Sequence, residues 1–122
     1  LFGTRFVATR ESQAPEFWKR AIVEATSEGT VTTDVLSGLY ARALSNRFVA
    51  EYEESGAPVL PGLLQSNAAQ DIYQTAAARG RRDYFPLWAG QSAGLIRDVP
   101  AAGEVLRSIV AEAEAAIGGL CR

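Results

Sequence analysis

Apolar side chains in this sequence recur mostly at spacings of three and four, the period of a helix lying against a core. Phe17, Trp18, Ala21, Ile22 and Ala25 form one such stripe, with Glu16, Lys19, Arg20 and Glu24 on the other face. Ser12 is placed to cap that helix, Pro15 suits its first turn, and Gly29 suits its end. A second stripe, Ala41, Leu44, Phe48 and Tyr52, predicts a helix over residues 40–54. A third, with Ala68, Ala69, Ile72, Tyr73, Ala76 and Ala77, predicts one over residues 67–79, closed by Gly80. A last helix begins near Pro100 and carries Val105, Leu106, Ile109, Val110, Ala113 and Ile117. Its Glu104, Glu112 and Glu114 face away from that stripe.

Strand signals are few. Residues 1–8 read as a strand already under way, and residues 30–36 as a short strand or an extended link. Ser37-Gly38, Ser55-Gly56-Ala57-Pro58 and Pro61-Gly62 punctuate the chain as turns. The aromatic stretch Tyr84-Phe85-Pro86-Leu87-Trp88 is expected to be buried, Trp88 above all. A lone opening strand cannot satisfy its own backbone groups, so it is expected to pair outside this chain.

Composition changes that picture in two ways. The 122 residues contain neither Met nor His. The first absence, with an apolar Leu1, reads as a piece that begins inside a fold. The second removes the side chain best suited to proton transfer near neutrality, so no catalytic residue is assigned in this chain. The net charge of −2 excludes a broad nucleic-acid surface. Arg79, Arg81 and Arg82 form a basic knot that reads first as a solvated turn. No apolar run approaches the length of a membrane span, and no signal-peptide pattern opens the chain. The single Cys121 cannot form an internal disulfide. A cytoplasmic location, without membrane or nucleic-acid partners, is the expectation.

Three patches are candidates for ligand contact. Gly3-Thr4 offers backbone N–H groups without a bulky neighbour, plus a hydroxyl, suited to an anion. A strand with an incidental glycine fits the same residues. In Leu87-Trp88-Ala89-Gly90-Gln91, small residues leave the Gln91 amide accessible; a Trp beside a helix-start turn is the equal alternative. In Leu63-Leu64-Gln65-Ser66-Asn67, Ser66 or Asn67 is expected to cap a helix. P-loop, dinucleotide-binding, metal-cluster and serine-nucleophile motifs are absent.

Taken in order, several segments resemble the nitronate monooxygenase family, formerly called 2-nitropropane dioxygenases. They are Gly3-Thr4-Arg5-Phe6-Val7-Ala8-Thr9-Arg10-Glu11-Ser12, Val31-Thr32-Thr33, Ser37-Gly38, Ala41-Arg42, Asn46-Arg47-Phe48, Leu64-Gln65 and Leu87-Trp88-Ala89-Gly90-Gln91 with Ala93-Gly94-Leu95. Leu1-Phe2, Leu63 and Ser92 depart from the family's usual residues. The resemblance implies an α/β fold, the C-terminal segment of an FMN-binding TIM-type (β/α)8 barrel, with this chain itself mostly α-helical. Residues 1–10 would be the end of the last barrel strand and its loop. Residues 11–86 would be an inserted helical domain, and residues 87–122 the return to the barrel and its final helix.

On that resemblance Gly3 and Thr4 bind the FMN phosphate, and Gln91 lies near the flavin. The partners implied are a small-molecule substrate and the N-terminal barrel part, on the same polypeptide or a separate chain, which holds the family's catalytic His. The activity implied is oxidation of alkyl nitronates by dioxygen. Alternatives are an NAD(P)H-dependent flavin reductase of the same barrel family, acting on a quinone or enoyl thioester, and a non-enzymatic helical interaction module from a truncated or split gene.

Overall fold

The computed structural model describes residues 2–121. Along them run α1 (Gly3–Val7), α2 (Glu16–Glu24), β1 (Thr30–Thr33), β2 (Ala41–Leu44), α3 (Arg47–Ser55), α4 (Leu64–Ala68), α5 (Gln70–Ala78) and α6 (Ala102–Leu120). Two 3-10 turns, Arg82–Tyr84 and Gln91–Leu95, complete the described elements. Helix dominates, as expected.

The small sheet organises the interior. β1 and β2 pair antiparallel, with Thr30 opposite Leu44 and Thr33 opposite Ala41. The other edge of β2 takes up residues 87–89: Leu44 N donates to Leu87 O at 2.8 Å, Ala89 N donates to Arg42 O at 3.3 Å, and Ala43 lies opposite Trp88. Successive side chains of a strand point to opposite faces. Leu44, Leu87 and Ala89 accordingly enter one core, with Ala8, Ala21, Ile22, Ala93 and Ile96. Ala43 enters a second, with Val35, Leu36, Phe48, Val49, Ala69 and Tyr73, against which Trp88 packs half-buried.

That division explains why residues 40–44 are not the helix their spacing predicts. Adjacent Ala43 and Leu44 serve cores on opposite sides, which a strand's half-turn per residue allows and a helix's smaller step does not. The helix starts only at Arg47, where the Asn46 carboxamide oxygen accepts from Val49 N at 3.2 Å. It ends at Gly56, whose φ of 66° suits a residue without a side chain.

The opening segment also differs from expectation. Residues 3–7, read as a strand end, form the short helix α1; Leu1 lies outside the described residues. Thr4 is its buried position, and the next buried residue is Ala8 at the C-cap, four further on and not two, so the inward face follows a helical step. The Arg5 guanidinium locks the turn, donating to Ala8 O at 3.0 Å and to Asp98 O at 2.9 Å.

Smaller corrections follow from local hydrogen bonding. Ser12 Oγ accepts from Ala14 N, making a turn rather than capping α2, and Pro15 takes the cap position. Gly29 closes a separate turn after α2 has ended at Glu24. The helix expected over residues 67–79 is two, α4 and α5, joined at Ala69. Ser66 Oγ donates back to Leu63 O, so neither it nor Asn67 caps α4. The residue that matters there is Gln65, buried, whose amide donates to Val35 O and accepts from Leu60 N at 3.0 Å each.

Helix α6 stands apart. It forms where expected, with Glu104 accepting from Ala101 N at 3.1 Å. Only Val105 of its stripe is buried, and Ile117 is 62 % exposed. No described helix is long and apolar enough to cross a membrane.

Candidate functional site

Two of the sequence candidates meet. Thr4 is only 8 % exposed, and its Oγ1 accepts from Gly90 N at 2.9 Å. One hydrogen bond thus ties the Gly-Thr pair on α1 to the start of the Gln91–Leu95 turn. Because the Thr4 oxygen is the acceptor, its hydroxyl proton stays available to a second acceptor. Gly3 and Gln91 flank this link and are both exposed. An ideal Cβ on Gly3 would meet nothing within 4 Å, so the space beside that backbone is open.

The loop carrying Gln91 is held at its other end as well. A Cβ on Gly94 would fall 2.6 Å from Ser27 N, so only glycine allows this approach. Before the loop, Trp18 Nε1 donates to Trp88 O at 3.2 Å and fixes residues 87–89 against α2. Gln91 is therefore mounted on a rigid turn between two pinned glycines.

Beside the patch runs a groove of about 630 Å³ between α1, the Gln91–Leu95 turn and α6, lined among others by Phe2, Arg5, Ser92, Leu95 and Ile109. Arg5 Nε and Ser92 Oγ are buried without a hydrogen-bond partner among the described residues. Buried polar atoms are rarely left unpaired, which sets these two apart from the other polar atoms beside the groove. Arg5 also pairs with the Asp98 carboxylate at 3.1 Å, joining α1 to the approach to α6.

Some candidates do not join the site. The Leu64-Gln65 segment contributes an internal clamp to the second core. The Arg79-Arg81-Arg82 knot lies at the end of α5, where Arg82 pairs with Glu24 at 2.6 Å. No group of three or more metal-binding side chains occurs among the described residues. Sequence reasoning missed Trp18 and Gly94 as supports of the loop; Gly94 carried a signal, a glycine four residues beyond Gly90. Tyr73 is shifted by its surroundings but is structural: burial pushes its hydroxyl up to about 12, and that hydroxyl donates to Leu36 O.

An exposed edge pinned onto a two-core body thus lies next to a helix whose apolar face is largely bare among the described residues. The chain belongs to the nitronate monooxygenase family, whose model matches residues 1–112. It is 40 % identical over 111 residues to a nitronate monooxygenase of Pseudomonas aeruginosa, covering 90 % of this chain and 31 % of that protein. A probable nitronate monooxygenase of Staphylococcus haemolyticus is 36 % identical over 90 residues, covering 74 % of this chain and 25 % of that protein. The chain spans less than a third of these relatives.

Among solved structures it is similar to a nitroalkane oxidase from Streptomyces ansochromogenes, with a TM-score of 0.75 and 34 % identity over 94 % of this chain and 33 % of the other. FabK from Thermotoga maritima gives a TM-score of 0.78 and 28 % identity over 97 % of this chain and 37 % of the other. These neighbours are TIM-type barrels, and this mostly helical chain has the fold of a C-terminal piece of such a barrel.

Proposed function

We propose that this chain is the C-terminal part of an FMN-dependent oxidoreductase that oxidises alkyl nitronates with dioxygen. The observation that carries the reading is the Thr4–Gly90 hydrogen bond, which ties buried Thr4 to the turn carrying Gln91 and leaves Gly3 and Gln91 exposed on either side of it. Backbone N–H groups at the start of a helix have no acceptor one turn earlier, and at Gly3 no side chain obstructs them. These features fit a phosphate: open space, unobstructed donors and a positioned hydroxyl. FMN, when bound, supplies the redox chemistry. The chain's own part is to hold the phosphate with Gly3 and Thr4 and to present the Gln91 amide toward the flavin. The proton-transfer group belongs to the N-terminal barrel part.

In this reading residues 1–10 lead out of the barrel, residues 11–86 form the inserted domain, and residues 87–122 return to the barrel. The bare stripe of α6 is the seat of the N-terminal part. The setting is cytoplasmic and the substrate a small molecule.

The test is flavin absorbance per mole of the purified full-length enzyme. Gly3→Val should strip FMN without harming the fold, because its side chain enters open space. Thr4→Ala should weaken binding by about 1.5–3 kcal/mol, roughly 10- to 100-fold. Gly3→Val with FMN affinity unchanged would move the phosphate elsewhere. The family resemblance leaves a second reading, an NAD(P)H-dependent flavin reductase of the same barrel family. Anaerobic bleaching of the flavin by NAD(P)H and not by an alkyl nitronate would favour it.

A further inference from the structure

The three arginines of the basic knot are not equivalent. Arg82 is neutralised by Glu24 at 2.6 Å. Arg79 and Arg81 form no ion pair among the described residues. Both border a pocket of about 380 Å³ on α5. The turn that brings them there is fixed: Gly80, with φ 63°, donates to Ala77 O at 3.2 Å, and Arg81 N donates to Ala76 O at 2.8 Å. Together with the bond from Arg79 N to Thr75 O, these occupy carbonyls at the helix end that would otherwise repel an anion.

The rest of the pocket is mostly apolar. Ala76 is buried, and Ile72, one turn earlier on α5, is half-exposed. Tyr84 supplies an aromatic side. Its ring packs against the second core and its hydroxyl donates to the Glu51 carboxylate at 3.2 Å, so the ring is held in place. Asp71 also lines the pocket, eight residues before Arg79 and about 12 Å away along the helix axis. The charge therefore changes sign along the pocket, from Asp71 to the two arginines.

Two cations beside an apolar floor suit an amphipathic anion, and a carboxylate at the far end disfavours a second negative charge there. We propose that this pocket binds a small organic monoanion, a single carboxylate on an aromatic or apolar body. The ligand's carboxylate lies at Arg79 and Arg81, and its body covers Ile72 and Ala76 beside Tyr84. The site shares no residue with the edge formed by Gly3, Thr4 and Gln91, and it does not rest on the flavoenzyme reading.

The experiment uses the full-length protein and three probes, cinnamate, its neutral analogue cinnamyl alcohol and the dianion para-carboxycinnamate, with binding measured by equilibrium dialysis. Cinnamate should bind more tightly than either of the others. Arg79→Gln and Arg81→Gln, both at exposed positions, should each weaken cinnamate about tenfold, the loss of one hydrogen bond to a charged group. Neither should change the binding of the alcohol. Ile72→Glu, which places a negative charge on the half-exposed floor, should abolish cinnamate binding. A wild type that does not bind cinnamate overturns the proposal. So does cinnamate binding unchanged in both arginine variants, which places the carboxylate elsewhere in the protein. Acid and alcohol weakened equally by those variants, or para-carboxycinnamate bound as tightly as cinnamate, overturns the recognition of a single negative charge.

Discussion

The two-core body and α6 were drawn from the same kind of sequence pattern and came out differently. The stripe of α2 closes on itself: Ile22 is fully buried among residues from β2, the 87–89 segment and the Gln91–Leu95 turn. The stripe of α6 is as regular, yet Leu106, Val110 and Ile117 face outward. Periodicity states that a helix has an apolar face; it does not state where the covering surface lies. In the proposed enzyme that surface is the rest of the barrel, so α6 is stable in its setting through contacts made outside this chain.

The sharpest way to break that contrast is at Ile22. Ile22→Ala in the full-length enzyme should lower stability by about 2–5 kcal/mol in chemical denaturation, since a closed core cannot easily collapse onto the cavity. Gln65→Leu comes next. It leaves Val35 O buried without that partner and removes the acceptor of the part-buried Leu60 N, and should cost about 1–3 kcal/mol. A smaller effect is expected from Ile117→Ala, about 2 kcal/mol if the barrel covers it and within roughly 0.5 kcal/mol if it stays exposed. That difference is the one that tests whether α6 is covered.

The smallest expected effect is a pH dependence where the body meets α6. The Glu11 carboxylate accepts from Ala102 N at 2.7 Å, and this backbone bond holds its pKa below the usual value. A depressed pKa means stability present above the unfolded value and lost as pH falls through the folded one. Acidification should therefore loosen the start of α6 in the wild type, seen as faster amide exchange near Ala102. In Glu11→Gln that acid-dependent step should be absent.

Much of this was legible in the sequence because it was local. α2 needed only its stripe and Pro15; the closing glycine of α5, Gly80, has the positive φ of 63° its position implied. The misreadings at residues 3–7 and 40–44 share a cause. Both segments are too short for periodicity to decide, and non-local partners determine their form: Asp98 for Arg5, and β1 with residues 87–89 for β2. The candidate site was half legible. Gly3, Thr4 and Gln91 could be picked out by chemistry and family likeness. The Thr4–Gly90 bond that unites them spans 86 residues and has no signature in either segment.

The most direct test of the account is hydrogen exchange across α6 in the full-length enzyme. Backbone amides of residues 106–117 should be protected about as strongly as those around Ile22, because the barrel buries their stripe. Exchange at the rate of an exposed, fraying helix, with the amides around Ile22 still protected, would contradict it.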